Sequence, residues 1–304
     1  VRIGFAVPQF GAFADPDLVL DISRALEDLG YDSLWVGDRI LGPIRPSDPY
    51  PGRDGVMPEQ FVTHLDPLLT LTLAATATER VRLGSSTLNA LWQPPVLLAR
   101  TLTTLDLLSH GRLDVGIGLG WLRDEYTAVG VPWEDRGGRL EETLDVLEAV
   151  WGSDPVAHQG RYWTIPPSRI GRKPVQRPRP PLLLGGFSPA ALERVGRRAD
   201  GWLAGAMPLP YLTGLWGLAT KAAQEAGRDP GQLRLVVRVN PTVTASRTDP
   251  AHAHQRGTVG QICDYLRSTE AAGADEVFVD AQLTTSSPAE FLDLAEEFIT
   301  TLRG

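Results

Sequence analysis

The stretch GRLDVGIGLGWLRDEY, residues 111–126, carries glycine at 116, 118 and 120 and then a tryptophan. Three glycines this close to a helical pattern suggest a nucleotide loop, but the spacing rejects one. A G-x-G-x-x-G fingerprint begun at Gly116 needs glycine where Trp121 stands, and one begun at Gly118 needs it at Arg123. No Gly-Lys-Ser/Thr follows, so a P-loop fails as well. Strand alternation fits instead: Val115, Ile117 and Leu119 share one face, and the glycines share the other. The aliphatic face should meet helices and the glycine face an interior. Either bulky neighbours such as Phe5 or Trp35 fill that interior, or a flat ring lies against bare backbone near the strand's end.

Outward from this strand, short apolar runs alternate with amphipathic ones along the whole chain. Strands are predicted at 2–8, 32–38, 81–88, 113–120, 181–186, 201–206, 233–240 and 275–281. Helices are predicted at 18–29, 68–78, 96–108, 139–150, 190–198, 212–226, 259–272 and 289–302. Eight strand–helix units predict a single-domain (β/α)8 TIM barrel over residues 1–304. Four insertion segments fall outside the alternation: 39–65, 121–138, 152–180 and 241–258. The first, second and fourth follow strands, and so belong to the face where such barrels build active sites; the first and fourth are expected substrate walls. The third follows a helix and ends RIGRKPVQRPRPP, a proline-rich connector expected near the opposite face. Its five basic residues offer a second reading, a holder for an anionic cofactor tail.

Composition narrows the class. With 42% hydrophobic and 22% charged residues among 304, the chain is ordinary globular material with no apolar run long enough to cross a bilayer. A cytosolic (cytoplasmic) enzyme is expected, with no membrane partner. The net charge of −8, with interspersed signs, argues against nucleic acid. Cys263 stands alone in a helical pattern and reads as core, and no Cys/His cluster has metal spacing, so no metal site is expected.

A second glycine signal lies in LLLGGFSPAALERVG, 182–196. A strand runs into Gly185 and Gly186, then Ser188 as a candidate N-cap, and Pro189 at the first helical position. Free backbone N–H groups at such a start suit a phosphate, and they equally suit a plain capped turn.

Together with GYDSLWVGD (30–38), ERVRLGSSTL (79–88) and LLARTLTTLDLLSHGRLDVGIGLGW (97–121), these segments resemble the bacterial luciferase-like oxidoreductase superfamily over nearly the full chain. The tracts DPLLTLTLAATATERVRLG, GIGLGWLRDEYTAVGVP and KPVQRPRPPLLLGG are most similar to its branch of coenzyme F420-dependent oxidoreductases. The resemblance implies a luciferase-like TIM barrel that binds a deazaflavin or flavin at its C-terminal face, and a homodimer.

Carried over by position, the resemblance marks Asp38 as a ring contact. Relatives have histidine next, but this chain has Arg39, which stays protonated and cannot act as a base at neutral pH. Arg39 suits an anionic ring or a substrate carboxylate instead. Ser86 and Thr87 match a bulge behind the ring, often built with a non-proline cis peptide. Gly118, Gly120 and Trp121 match ring contacts, and Asp124 and Tyr126 follow toward the cofactor's polar chain. Gly185, Gly186, Phe187 and Ser188 match the phosphate turn. His64, just before the second helix, is the alternative proton donor because imidazole titrates near neutrality. His110, His158, His252 and His254 fall in polar turns and are assigned no role, while Trp92 and Trp163 are aromatic wall or packing residues.

The expected activity is F420-dependent hydride transfer to or from a small organic substrate. The alternatives are an FMN-dependent monooxygenase using reduced FMN and oxygen, and a non-catalytic flavin-binding protein, the latter suggested by Arg39.

Overall fold

Strand and helix starts follow from short local signals. Asp15-Pro16, Asp66-Pro67, Ser188-Pro189 and Ser287-Pro288 each open a helix with a side-chain cap on a backbone N–H and proline in the first turn. The helix at 259 opens on a capping box between Thr258 and Gln261. In the computed structural model, which describes residues 1–52 and 55–304, eight helices alternate with eight strands. The strands are β1 Arg2–Ala6, β2 Ser33–Val36, β3 Arg82–Ser85, β4 Leu113–Gly118, β5 Leu182–Gly185, β6 Gly201–Gly205, β7 Arg234–Val239 and β8 Glu276–Val279. The helices are α1 Pro16–Asp28, α2 Pro67–Ala77, α3 Pro95–Leu108, α4 Arg136–Trp151, α5 Pro189–Arg198, α6 Leu209–Glu225, α7 Val259–Ala271 and α8 Pro288–Arg303.

All eight strands pair in parallel, each with its sequence neighbours, and β8 returns to β1 through Arg2↔Glu276 and Phe5↔Val279. The sheet is therefore a closed barrel, as the alternation predicted. The predicted elements all occur, with helix starts one to three residues earlier where proline begins the first turn. Elements beyond the predicted alternation include a short helix at Arg123–Ala128, an antiparallel hairpin, Val156–Gln159 with Thr164–Ser168, and a short parallel pair, Thr242–Val243 with Arg256–Gly257.

The barrel interior is layered. At the strand starts, Asp114 accepts from Arg82 (2.7 and 2.9 Å) and from Arg234 (2.9 Å), and Glu276 accepts from Arg234 (3.1 Å) and Ser33 (2.5 Å). Above this ionic layer Trp35 stacks on Phe278 at 4.7 Å, packed with Leu183, Leu203 and Val236. A methyl group at Gly84 would run into the Trp35 ring, and one at Gly4 would lie 2.9 Å from its Nε1. The glycine face of β4 does point inward, but its space is taken: a Cβ at Gly116 would strike the Ser85 carbonyl, and one at Gly118 the Thr87 hydroxyl. Of the two bulky residues suggested by the sequence, Trp35 fills the interior beside β1 and β3. Phe5 instead faces outward, against Tyr31 and Phe291.

The 152–180 segment stays near the strand starts. Gln176 donates to Asp106 and to the Leu113 carbonyl, Lys173 pairs with Asp154, and Arg179 pairs with Asp200. None of its five basic residues reaches the cavity described below, so the anionic-tail reading finds no support. No helix among the described residues is long and apolar enough to cross a membrane.

Burial alone would raise the Asp114 carboxyl, but Arg82 and Arg234 outweigh it and hold the group below the usual range. Its stabilisation is present above the unfolded-state value and disappears as pH falls through the lower folded value. We predict that Asp114→Asn costs roughly 3–5 kcal/mol in denaturant unfolding at pH 7, because it leaves two arginines under-compensated. A loss under about 1 kcal/mol would show that the layer is a solvated ion pair.

Candidate active site

With the strand starts closed, the open space lies at the opposite end, in a cavity of about 1050 Å3. That is the upper end of the range for small-molecule sites. The loops after all eight strands contribute: Phe10 after β1, Asp38 and Arg39 after β2, Ser86 and Thr87 after β3, Gly120 and Trp121 after β4, Phe187 after β5, Ala206 after β6, and Asn240 after β7. Leu283 closes the eighth sector. The 39–65 insertion adds Tyr50 and Phe61, and the 241–258 insertion adds His254, Gln255 and Arg256, so both expected walls are cavity walls.

The backbone at the end of β2 turns because Gln9 bridges it: its Oε1 accepts from the Gly37 N–H (2.5 Å) and its amide donates to the Gly37 carbonyl (3.0 Å). This leaves Asp38 at the cavity, where its Oδ2 accepts from the Asn89 N–H at 3.0 Å. Burial, opposed by that hydrogen bond and reinforced by the charges of Glu125 and Asp66, lifts the Asp38 carboxyl to about 7. Arg39 is 8% exposed. Its guanidinium lies over Trp121 at 5.1 Å and Phe61 at 5.6 Å, with Glu125 3.4 Å away. Trp121 in turn meets Tyr50 edge-on at 5.5 Å.

Behind Ser86 stands Arg238, whose Nη1 donates to the Ser86 carbonyl (2.6 Å) and whose Nη2 donates to Asp280 (2.6 Å). The Ser86–Thr87 peptide is cis. Thr87 rests on Gly118 and, at 3.2 Å from a Cβ there, on Gly185. Gly118 does not line the cavity: the room it leaves is occupied by Thr87, and the bare backbone that reaches the cavity is at Gly120, with φ +63°.

Several sequence candidates sit just outside. Asp124 accepts from Ser47 N (2.8 Å) and Oγ (3.0 Å), fastening the first insertion to the short helix. Tyr126 is buried, donates to the Leu119 carbonyl at 2.6 Å and packs against Trp133, so it props the end of β4. His64 pairs as a β-bridge with Phe10, with its Nδ1 3.2 Å from the Phe61 carbonyl, and does not line the cavity. Gly186, at φ +128°, turns the chain from β5 so that Ser188 caps α5. Of this turn only Phe187, half exposed, lines the cavity, and the N–H groups of Phe187 and Ser188 make no hydrogen bond among the described residues.

Glu125, Asn89, Arg238 and Asp280 were not among the sequence candidates, and His254, assigned no role from its polar context, lines the cavity. For Arg238 and Asp280 a signal existed. Alternation in RLVVRV places Arg234 and Arg238 on the inner face, and in DEVFVDA it places Glu276 and Asp280 there. His254 is 7% exposed on the fourth insertion, a burial its polar sequence context conceals.

Residues 6–275 match the luciferase-like monooxygenase family, and the chain belongs to that family. An uncharacterized protein of Mycobacterium tuberculosis is 33% identical over 187 residues, 60% of this chain and 65% of its own length. The match thus spans slightly under two thirds of that relative. An F420-dependent glucose-6-phosphate dehydrogenase of Amycolatopsis mediterranei is 31% identical over 209 residues, 67% of this chain and 57% of its own length. The structure of the monooxygenase RslO1 from Streptomyces bottropensis shares the fold, with TM-score 0.81 at 19% identity, covering 100% of this chain and 99% of that one.

A carboxyl raised on folding makes the folded protein bind a proton more tightly than the unfolded chain, so stability declines as pH climbs from the unfolded value toward about 7. Asp38→Asn is therefore expected to raise Tm at pH 8, with a gain that shrinks as pH falls from 7 toward 4. A gain independent of pH, or a loss at pH 8, would contradict the burial of an ionisable Asp38.

Proposed function

We propose that this member of the luciferase-like family is an F420-dependent oxidoreductase that moves a hydride between the deazaflavin and a small organic substrate. The observation that carries the reading is the pair at the end of β2: a buried guanidinium at Arg39 beside a cavity-lining carboxyl, Asp38, that burial lifts to about 7. The bound deazaflavin supplies a carbon centre that accepts or donates two electrons as hydride.

The residues present fit such a group. Ser86, Thr87, Gly120 and Trp121 offer backbone and an aromatic edge to a flat ring, and Phe187 flanks the cavity at β5. The turn from Gly185 to Ser188 would hold a phosphate through its unpaired N–H groups. Arg39 favours negative charge on the ring, because guanidinium keeps its proton even when buried. Asp38 takes the proton released when a substrate hydroxyl is oxidised, or returns it in the opposite direction. The walls from the two insertions orient the substrate and limit water. Asp124 and Tyr126 hold the β4 loop in place rather than touching the cavity. The similarity to an F420-dependent dehydrogenase supports the same choice of cofactor.

Reduced FMN with oxygen is the second reading, favoured by the family's monooxygenase members and by the likeness to RslO1. Fluorescence titration with F420 and with FMN separates the two. We expect tighter F420 binding and no oxygen uptake by the reduced complex. Tight FMN binding with substrate-dependent oxygen uptake, and no F420 binding, would overturn the proposal.

A homodimer is part of the same reading. PLLTLTLAATA makes α2 apolar on all sides, and Leu69 (68% exposed) lies on its outer face, with Leu97 and Leu108 exposed on the adjoining α3. Light scattering should give twice the chain mass, and Leu69→Glu should yield monomers. A wild-type monomer at micromolar concentration would contradict it.

A further inference from the structure

Glu125 has no place in the function described so far, yet it is fully buried beside the cavity wall. The short helix Arg123–Ala128 carries it inward, toward the turn that follows β2. There it accepts from the Ile40 N–H at 3.2 Å and faces the Arg39 guanidinium at 3.4 Å. The contact is a charge pairing without a formed hydrogen bond: Glu125 Oε2 and Arg39 Nη1 are both buried and both lack a hydrogen-bond partner. Such a pair is a poor stabiliser, because desolvation offsets most of its Coulomb energy. It does act strongly on neighbours, since the same low dielectric carries its field to any group close by.

The group close by is Asp38. Its charged surroundings come from three elements: Arg39 on its own turn, Glu125 on the short helix, and Asp66 at the cap of α2, with the Asn89 N–H as hydrogen-bond donor. Arg39 is itself faced by Tyr50 and Arg238.

We infer that Glu125 and Arg39 form a positioning pair that tunes the proton affinity of the buried Asp38, Glu125 by balancing the arginine charge that favours the carboxylate. A histidine following Asp38 would carry a proton itself; arginine cannot. With Glu125 opposite, the arginine keeps its charge for a ligand while Asp38 remains able to take up and release a proton. Glu125 touches neither substrate nor ring in this scheme; it works through Arg39 and Asp38. The inference rests on the reading of Asp38 as the proton carrier, but its test needs neither cofactor nor substrate.

The titration of Asp38 is read as the difference in Tm between each background and its Asp38→Asn version, from pH 4 to 9. In the wild-type background the difference should develop as pH rises toward 7. In Glu125→Gln it should be complete at a pH lower by at least ~1 unit, the size expected from removing a nearby like charge. In Arg39→Gln it should shift upward. Opposite shifts in the two backgrounds are the signature of electrostatic positioning. Equal Tm losses at every pH with an unmoved transition would make Glu125 purely structural and overturn the inference. Should Glu125→Gln fail to fold, an unmoved or lowered transition in Arg39→Gln overturns it alone. If the shifts appear but Asp38→Asn retains full hydride-transfer activity with F420, the pair stands and the proton-carrier reading falls.

Discussion

The stacking of Trp35 on Phe278, from the two strands that flank β1, is the contact around which the site is organised. An eight-stranded barrel has a core that must be filled by side chains, and here one indole fills much of it because Gly4 and Gly84 leave it room. The ionic layer of Asp114, Arg82, Arg234 and Glu276 seals the strand starts beneath it. Everything below mid-barrel is thereby occupied. The space that remains lies at the strand ends, where loops of different length and chemistry meet.

Two inward-facing columns of residues change character along their strands. On β7 it runs Arg234, Val236, Arg238: a charge for the seal, an aliphatic for the middle and a charge for the cavity. On β8 it runs Glu276, Phe278, Asp280 in the same order. The two top-layer residues pair, and Arg238 then reaches the Ser86 carbonyl, so the platform after β3 is braced from across the barrel. The glycines of β4 belong to this bracing. They let the Ser85 carbonyl and Thr87 approach closely, and a ring would rest on the surface those residues make rather than on Gly118 itself.

Much of this was legible in the sequence. The alternation gave the strand and helix order because the strands are short and largely apolar and four of the barrel helices begin with a polar cap and proline. Asp38, Arg39 and Trp121 were marked by position, and the structure gathers them at one cavity. What escaped the reading depends on contacts between distant segments. Glu125 lies between Asp124 and Tyr126, both of which were marked, but nothing local shows that its side chain turns toward Arg39. His64 stands next to the right helix, yet its bridge to Phe10 keeps it out of the cavity lining. His254 reaches the cavity only because the fourth insertion folds back over it.

Under the proposed function, the end of β2 acts as an electrostatic unit suited to an anionic deazaflavin. Its most direct test is the identity of the cofactor retained when the protein is purified from a host that makes both F420 and FMN, read from the absorption spectrum and mass of the released molecule. A deazaflavin is the expected result. Stoichiometric FMN, with no deazaflavin present, would contradict it.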